Sequence, residues 1–288
     1  MTVEVPSSGR TSGGENFPVA SFIVEARHRR AVMAFYRFAR GADDVADAPD
    51  LAAAAKLALL GRFEATLRGA EDGIAEAAPL RAALADRGMA PEHPLDLLRA
   101  FRTDAEKNRY ASWDELMHYC RYSAAPVGRF VLDLHGESRG TWPASDALCA
   151  ALQIINHLQD CAKDYRSLDR VYLPLDALAA AGAVVEDLAG ARASVPLRTA
   201  IADLATRAAG LLDQSATLSA SVRNLRLGLE IAVIHRLARR LAEILKQRDP
   251  LSETVHLGNA AVLASGFFGL TGGLFGRIGR SRDRVRAS

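Results

Sequence analysis

Residues 36–47 read YRFARGADDVAD, a stretch in which carboxylates four residues apart stand inside an apolar helical pattern. The stretch belongs to a longer run, from about residue 17 to 48, in which large apolar side chains recur at spacings of three and four. This periodicity predicts one long helix. Residues four apart on a helix share a face, so Asp43 and Asp47 point the same way, and Tyr36 continues that face towards the amino end.

A second pair of carboxylates four residues apart occurs in residues 156–164, NHLQDCAKD. Asn156, Asp160 and Asp164 share one face of a predicted helix whose preceding residues are almost uncharged, which is typical of an interior helix of a bundle. Burying like charges in this way costs several kcal/mol per ion unless cations compensate them. Carboxylate and water ligands favour Mg²⁺, usually completed by phosphate oxygens of a substrate. The two pairs therefore predict a Mg²⁺-dependent diphosphate site, and Arg29, Arg40 and Arg170 are natural partners for the diphosphate.

The composition favours an all-α protein with a single helical core. The chain has 288 residues, 49% of them hydrophobic and only 6% aromatic, and Ala and Leu dominate. Little of the alternation typical of strands is present. Besides the first helix, helical patterns fall at about 51–69, 77–88, 94–109, 112–135, 144–166, 194–219 and 221–247. A capping box is predicted at Ser112, and Pro174 indicates an extended segment after the second aspartate pair.

Charge and cysteine content exclude several classes of function. A net charge of +2, from 36 basic and 34 acidic residues, indicates no strong positive electrostatic potential that would attract nucleic acid. No nucleic-acid-binding motif is present either. No strand-borne glycine-rich motif indicates a nicotinamide cofactor either. Three cysteines without metal-ligand spacing favour free thiols in a reducing compartment, so we expect a cytoplasmic protein.

The two ends of the chain differ from its middle. Residues 1–15 are polar and rich in Gly and Ser, and we expect a disordered lead-in without a signal peptide. Residues 16–256 form the predicted catalytic domain. Residues 257–276 carry no charge and include six glycines, and five arginines follow in residues 277–288. This tail is expected either to dock on the domain or to contact the inner face of a membrane peripherally, with its arginines on anionic headgroups.

The motifs resemble those of the squalene/phytoene synthase family, the head-to-head trans-isoprenyl diphosphate synthases. The resemblance is carried by YRFARGADDVAD (36–47), YCRYSAAPVG (119–128) and NHLQDCAKDYRSLDRVYLP (156–174), in the family's order and spacing. It implies an isoprenoid synthase fold, a single helical bundle around a central cavity with the two aspartate motifs facing each other across Mg²⁺. The implied metal ligands are Asp43, Asp44, Asp47, Asp160 and Asp164, and all of them except Asp44 are also the implied catalytic carboxylates. The implied substrate-binding residues are Arg29, Tyr36, Arg40, Asn156, Gln159, Arg170 and Tyr172.

Departures from the family pattern point to one of its branches. Gln159 stands where such synthases usually have Arg, Lys163 stands where they have Glu, and residues 15–21 read ENFPVAS. With the SAAPVGR stretch, these features are similar to the bacterial hydroxysqualene synthase branch of hopanoid biosynthesis. The resemblance implies that presqualene diphosphate is ionised, that the carbocation rearranges, and that water captures it to give hydroxysqualene. Hand-over of substrate or product to other enzymes of the squalene pathway is then expected.

Three alternatives remain open at the level of the sequence. The first is a squalene, phytoene or presqualene diphosphate synthase that condenses two prenyl diphosphates itself. The second is a di-iron helical bundle protein, because Glu25-x-x-His28 and Glu253-x-x-His256 have the spacing of di-iron ligands. The third is a non-catalytic helical scaffold with solvated aspartates.

Overall fold

A computed structural model describes residues 25–255 of the chain. The lead-in at 1–15, the ENFPVAS segment and the tail at 257–288 lie outside the described residues. Within 25–255 the secondary structure is helical, with a single isolated β-bridge between Arg109 and Val171. The helices are α1 (Ala26–Asp47), α2 (Ala53–Arg68), α3 (Ala77–Ala85), α4 (Glu92–Glu106), α5 (Trp113–Ser123), α6 (Ala125–Leu134), α7 (Trp142–Leu168), α8 (Leu175–Ala181), α9 (Val195–Ser215), α10 (Leu218–Ser221) and α11 (Leu225–Gln247). The predicted all-α class is confirmed.

Two hydrophobic clusters hold the helices together. The first lies among α1, α2, α3, α4 and α6 and includes Phe38, Phe63 and Phe130, all with at most 1% of their surface exposed. The second is larger, joins α5, α7, α9 and α11, and includes Ile154 and Leu204. Helices α4 and α6 pack on α5 and α7 and thereby join the two clusters. The first aspartate motif lies on a helix of one cluster and the second on a helix of the other.

The segment 112–135, predicted as one helix, forms two. Helix α5 ends at Ser123, and α6 begins at Ala125 with Pro126 in its first turn. Proline lacks an N–H and clashes with the preceding turn, so a continuous helix cannot pass through it. The break leaves both Ser123 and Val127 on the wall of the central cavity. The pattern of apolar residues runs through the break, which is why periodicity alone predicted a single helix.

Local signals placed several helix ends correctly. The Ser112 hydroxyl accepts a hydrogen bond from the Glu115 backbone N–H at 3.3 Å, as expected for an N-cap. The Glu115 carboxylate accepts from the Ala111 N–H instead of closing the predicted box on Ser112. Residues 169–174 leave the helix ahead of α8, as Pro174 predicted. This turn is what directs Arg170 and Tyr172 back towards the cavity.

Among residues 25–255, no helix has the length and apolarity needed to cross a membrane. All three cysteines are free thiols, as their spacing predicted.

Candidate active site

A central cavity of about 410 Å³ lies between the two hydrophobic clusters. Its wall is built from α1, α4, α5, α6, α7 and the turn after α7. The lining residues are Tyr36, Ala39, Arg40, Asp43, Asp47, Leu97, Phe101, Tyr119, Ser123, Val127, Gln153, Asn156, His157, Asp164, Leu168, Arg170 and Tyr172. Charged groups at the carboxyl ends of α1 and α7 thus share one cavity with apolar and hydroxyl side chains. A ligand that joins a diphosphate to a hydrocarbon chain would use both, with charged groups around the diphosphate and apolar groups around the chain.

The first aspartate motif is paired with the protein's own cations. Arg40 donates to Asp43 at 2.8 Å and to Asp44 at 2.6 Å, bridging the two neighbouring carboxylates. Asp43 and Arg40 line the cavity, whereas Asp44 does not, and the Asp44 side chain is only 9% exposed. Asp44, predicted as a metal ligand, therefore lies behind the wall and helps to hold Arg40.

The third carboxylate of α1 is held from across the cavity. Arg170 donates to Asp47 at 2.6 Å, and the Arg170 side chain is 7% exposed. The Lys56 ammonium of α2 donates to the carbonyl of Ala46 at 2.8 Å and fixes the end of α1 beside this pair. Lys56 was not predicted, because it lies in an Ala-rich helix with no motif around it.

The second motif has no such partners. Asn156 and Asp164 line the cavity, and Asp160 lies between them on the same face of α7, half-buried. Within the part of the chain that the structure describes, the carboxylates of Asp160 and Asp164 take part in no hydrogen bond or ion pair. This face of α7 therefore concentrates negative charge that no ion pair within residues 25–255 neutralises, and Lys163 and Arg170 act on Asp164 only at longer range.

The electrostatics of the cavity favour a bound cation. Burial, with the charge of Asp47 next in importance, raises the pKa of Asp43 to about 7. Burial, followed by the charge of Asp160, raises the pKa of Asp164 to about 7. Oxygen ligands that repel one another in a confined space are the donor set that Mg²⁺ uses. The residues present therefore fit the divalent ion that the sequence predicted.

A buried hydrogen-bond network centred on Asp104 supports the cavity wall. Asp104 lies on α4, is 5% exposed, and accepts hydrogen bonds from the hydroxyls of Tyr119 at 2.7 Å and Tyr172 at 3.1 Å. Arg170 donates to the backbone carbonyl of Asp104 at 3.1 Å. Burial raises the pKa of Asp104 to about 6. The sequence analysis missed this residue, although Asp104 follows Leu97 and Phe101 at the spacing of their apolar face, and a charge in that position was a usable signal.

The rings of Tyr172 and His157 stack at a centroid distance of 3.6 Å. Both residues line the cavity. His157 is buried, and burial lowers its pKa to about 3, so the imidazole is neutral. Gln153, one turn earlier on α7, lies 3.1 Å from the His157 Nε2.

Two predicted substrate-binding residues do not line this cavity. The Gln159 amide donates to the backbone carbonyl of Val255, so Gln159 tethers the chain after α11 to α7. Arg29 lies 14 residues before Asp43 on α1, about 21 Å along the helix axis, and is half-buried outside the cavity wall. Gly128 packs against α7 rather than a ligand, since a Cβ there would meet the Ser145 Oγ at 2.3 Å.

The di-iron alternative does not fit the structure. Glu25 precedes α1, where it accepts from Asn224 and pairs with Arg27. His28 is 3.2 Å from an Arg87 guanidinium nitrogen, and His256 lies outside the described residues.

Elsewhere in residues 25–255, the side chains of Glu92, His93 and Asp133 come within 4.8 Å of one another. Arg139 pairs with both carboxylates and already compensates their charge.

Comparison with known proteins identifies the family. The family description "Squalene/phytoene synthase" matches residues 11–260. The chain belongs to the squalene/phytoene synthase family. It is 57% identical to a hydroxysqualene synthase from Rhodopseudomonas palustris over 87% of this chain and 86% of that protein. It is 52% identical to a hydroxysqualene synthase from Sinorhizobium fredii, covering 91% of this chain and 89% of the relative.

A solved structure in this family supports the fold. The crystal structure of squalene synthase HpnC from Alicyclobacillus acidocaldarius is 33% identical, with a TM-score of 0.71, over 80% of this chain and 87% of that one. The architecture is thus the isoprenoid synthase fold that the motifs implied. The squalene/phytoene synthase family handles prenyl diphosphates, which agrees with a cavity that combines carboxylates, arginines and an apolar wall.

Proposed function

We propose that this chain is a hydroxysqualene synthase, converting presqualene diphosphate to hydroxysqualene with Mg²⁺ as cofactor. The observation that carries the proposal is the single cavity in which Asp43, Asp47 and Asp164 meet Arg40 and Arg170. Two relatives named hydroxysqualene synthase, at 57% and 52% identity over most of the chain, support the choice of reaction.

The carboxylates would hold the metal, and the arginines would hold the leaving group. Asp43, Asp47 and Asp164 offer oxygens to the cavity, and Asp160 stands at its edge. When bound, Mg²⁺ neutralises the diphosphate and makes it a better leaving group. Arg40 and Arg170 line the same cavity, and their guanidinium groups can exchange a carboxylate partner for phosphate oxygens because both anions suit the same planar donors.

The cavity wall would direct the fate of the carbocation. Leu97, Phe101 and Val127 give the cavity wall an apolar part against which a hydrocarbon chain can lie. The Asp104 network fixes the rings of Tyr119 and Tyr172, whose faces are electron-rich and favour a nearby positive charge. Rearrangement would occur among these groups before water captures the cation.

Product analysis tests the proposal. Purified protein with Mg²⁺ and without nicotinamide is given presqualene diphosphate in one reaction and farnesyl diphosphate in another, and products are identified by mass spectrometry. We expect an alcohol from presqualene diphosphate and no turnover of farnesyl diphosphate. In water enriched in ¹⁸O, the alcohol should carry the label. Condensation of farnesyl diphosphate to presqualene diphosphate or a hydrocarbon would instead establish a condensing synthase.

The location of the enzyme in the cell is a separate part of the proposal. We infer a cytoplasmic enzyme that contacts the inner face of the membrane through residues 257–288, where an apolar segment precedes five arginines. Such contact would ease hand-over of apolar intermediates to other squalene-pathway enzymes. Co-sedimentation of the full chain with anionic vesicles, compared with a chain lacking 277–288, measures it. Equal sedimentation of both chains would contradict the membrane contact.

A further inference from the structure

Three polar side chains line the cavity away from the aspartates and have no part in the proposed binding of diphosphate. Ser123, Gln153 and His157 all belong to the cavity wall. On α7, His157 lies seven residues and Gln153 eleven residues before Asp164, about 10 and 16 Å along the helix axis. The side chains around them include Leu97 and Phe101, so polar groups here call for a polar ligand.

The hydroxyl of Ser123 is the clearest sign of such a ligand. Its Oγ is buried and has no hydrogen-bond partner among the described residues. A buried hydroxyl without a partner costs about 1–3 kcal/mol, and native structures usually satisfy such groups with protein or water. Ser123 owes its place on the wall to the break between α5 and α6.

Gln153 has a fixed orientation. Its Nε2 lies 3.1 Å from the His157 Nε2, and a neutral imidazole accepts a hydrogen bond there. The His157 ring is held in turn by its stack on Tyr172, with an angle of 15° between the planes. Because the amide nitrogen is engaged, the carbonyl oxygen of Gln153, a residue of the cavity wall, remains as an acceptor for a ligand.

We propose that Ser123 and Gln153 hold the water molecule that captures the carbocation, and that His157 is a positioning residue that orients Gln153. This inference rests on the proposed function. Water donates hydrogen bonds to the Gln153 Oε1 and the Ser123 Oγ, which turns a lone pair of its oxygen towards the cation. That lone pair forms the new C–O bond, and the proton released by the resulting oxonium passes to the diphosphate set free on ionisation. Presqualene diphosphate and water thus give alcohol and protonated diphosphate, with no other reactant.

A water held by side chains also explains how one product could be selected. An allylic cation that meets no nucleophile loses a proton to give an alkene, or is captured at another carbon. A fixed water lowers the activation barrier for C–O bond formation at one carbon only. Loss of a single hydrogen bond to that water would change the ratio of the alcohol to the other products by about tenfold.

The experiment compares product partition with diphosphate release. Wild type, Gln153→Leu and Ser123→Ala are each given presqualene diphosphate and Mg²⁺, inorganic diphosphate is measured, and products are separated by mass spectrometry. We expect diphosphate release within about threefold of wild type, because ionisation does not use these side chains. The ratio of hydroxysqualene to other C30 products should fall about tenfold in each variant.

The role of His157 has its own readout. His157→Phe keeps an aromatic ring for the stack on Tyr172 but removes the acceptor, and should shift the product ratio as Gln153→Leu does. His157→Gln restores an acceptor and should recover much of the alcohol. A merely structural role would lower the melting temperature or the release of diphosphate without changing the ratio.

Controls separate the inference from the function on which it rests. Gln247→Leu, at an exposed site in the last turn of α11, should leave the products unchanged. If wild type forms the alcohol and both Gln153→Leu and Ser123→Ala keep its fraction, the inference is overturned and the proposed function stands. If wild type releases no diphosphate from presqualene diphosphate, the proposed function fails and the inference fails with it.

Discussion

In the α1 motif every aspartate lies within 2.8 Å of a guanidinium nitrogen, whereas in the α7 motif neither aspartate forms an ion pair with a residue of the described chain. Both motifs have the same four-residue spacing and serve the same cavity. The difference shows that the α1 carboxylates contribute to the fold through Arg40 and Arg170, while the α7 carboxylates make no direct ion pair within the described chain, and Lys163 and Arg170 act on Asp164 only at longer range. One motif is partly structural, and the other is not tied to a cation of residues 25–255.

The largest effect should come from the α7 motif. Asp164→Asn removes a carboxylate from the cavity wall, and turnover of presqualene diphosphate should fall by about 10³-fold, a typical loss for electrostatic groups at a reacting centre. Turnover is measured with saturating Mg²⁺. Asp213→Asn serves as control, because Asp213 pairs with Arg239 on the surface, where its side chain is 68% exposed. Activity retained in Asp164→Asn would remove this residue from the proposed metal site.

The stability of the metal-free protein should depend most on the buried ion pairs of the α1 motif. Arg170→Met leaves Asp47 and the Tyr172 hydroxyl without their buried guanidinium partner, and we expect a loss of about 3 kcal/mol in the free energy of unfolding. Arg239→Met breaks only the surface pair with Asp213 and should cost far less, because solvent screens an exposed ion pair. Urea denaturation in the presence of chelator measures both. Equal losses in the two variants would mean that the Arg170 pair has no structural role.

The pH dependence of stability sharpens the contrast further. Burial and Asp160 raise the pKa of Asp164 to about 7 in the folded state, above its value of 3.8 in the unfolded chain. Between these two values the folded state holds more protons, so ionisation of Asp164 destabilises the fold as pH rises. Asp164→Asn lacks this penalty. Its stability relative to wild type should therefore increase from pH 4 to 7 by up to roughly 3 kcal/mol and level off above about pH 8.

The measurement is a series of urea titrations of both proteins from pH 4.5 to 8 without divalent ions. Adding Mg²⁺ to wild type at pH 7.5 should reduce the difference in the free energy of unfolding between the two proteins, because a cation that binds the folded state stabilises it. A difference that is independent of pH, or that shrinks towards pH 7, would show that Asp164 is not held at a raised pKa.

The smallest effect is expected at Gln159. Gln159 stands where synthases of this family usually have Arg, and the guanidinium group of an Arg suits the oxygens of a diphosphate. In the structure, Gln159 donates to the Val255 carbonyl and does not line the cavity. Gln159→Arg should therefore change turnover of presqualene diphosphate by less than about threefold and give no condensation of farnesyl diphosphate. A gain of condensing activity would restore the interpretation based on the sequence.

Much of the fold could be predicted because its signals are local. The periodicity of apolar residues, the cap at Ser112 and the break at Pro174 each act within a few residues, so the long helices and the turn after α7 followed from the sequence. The short helices α8 and α10 were not predicted as elements of their own. Pro126 is equally local, and the break that it causes was missed only because the apolar pattern continues across it.

The candidate site was predictable where its residues form motifs. Asp43, Asp47, Asp164 and Asn156 share helix faces that the spacing alone defines, and the structure brings them to one cavity. Asp104, which stands alone on α4, has no motif, and its importance comes from hydrogen bonds to residues 15 and 68 positions away.

The sequence by itself determined that the chain is helical and that two carboxylate faces exist, and it predicted a diphosphate chemistry with a divalent cation, because each conclusion depends on residue types at helical spacing. Only the tertiary structure decided which carboxylates are paired with arginine, that Gln159 and Arg29 stand outside the cavity, and that Ser123, Gln153 and His157 stand inside it. The physical reason is that helix spacing defines which residues share a face, whereas the partner of that face depends on how distant helices pack.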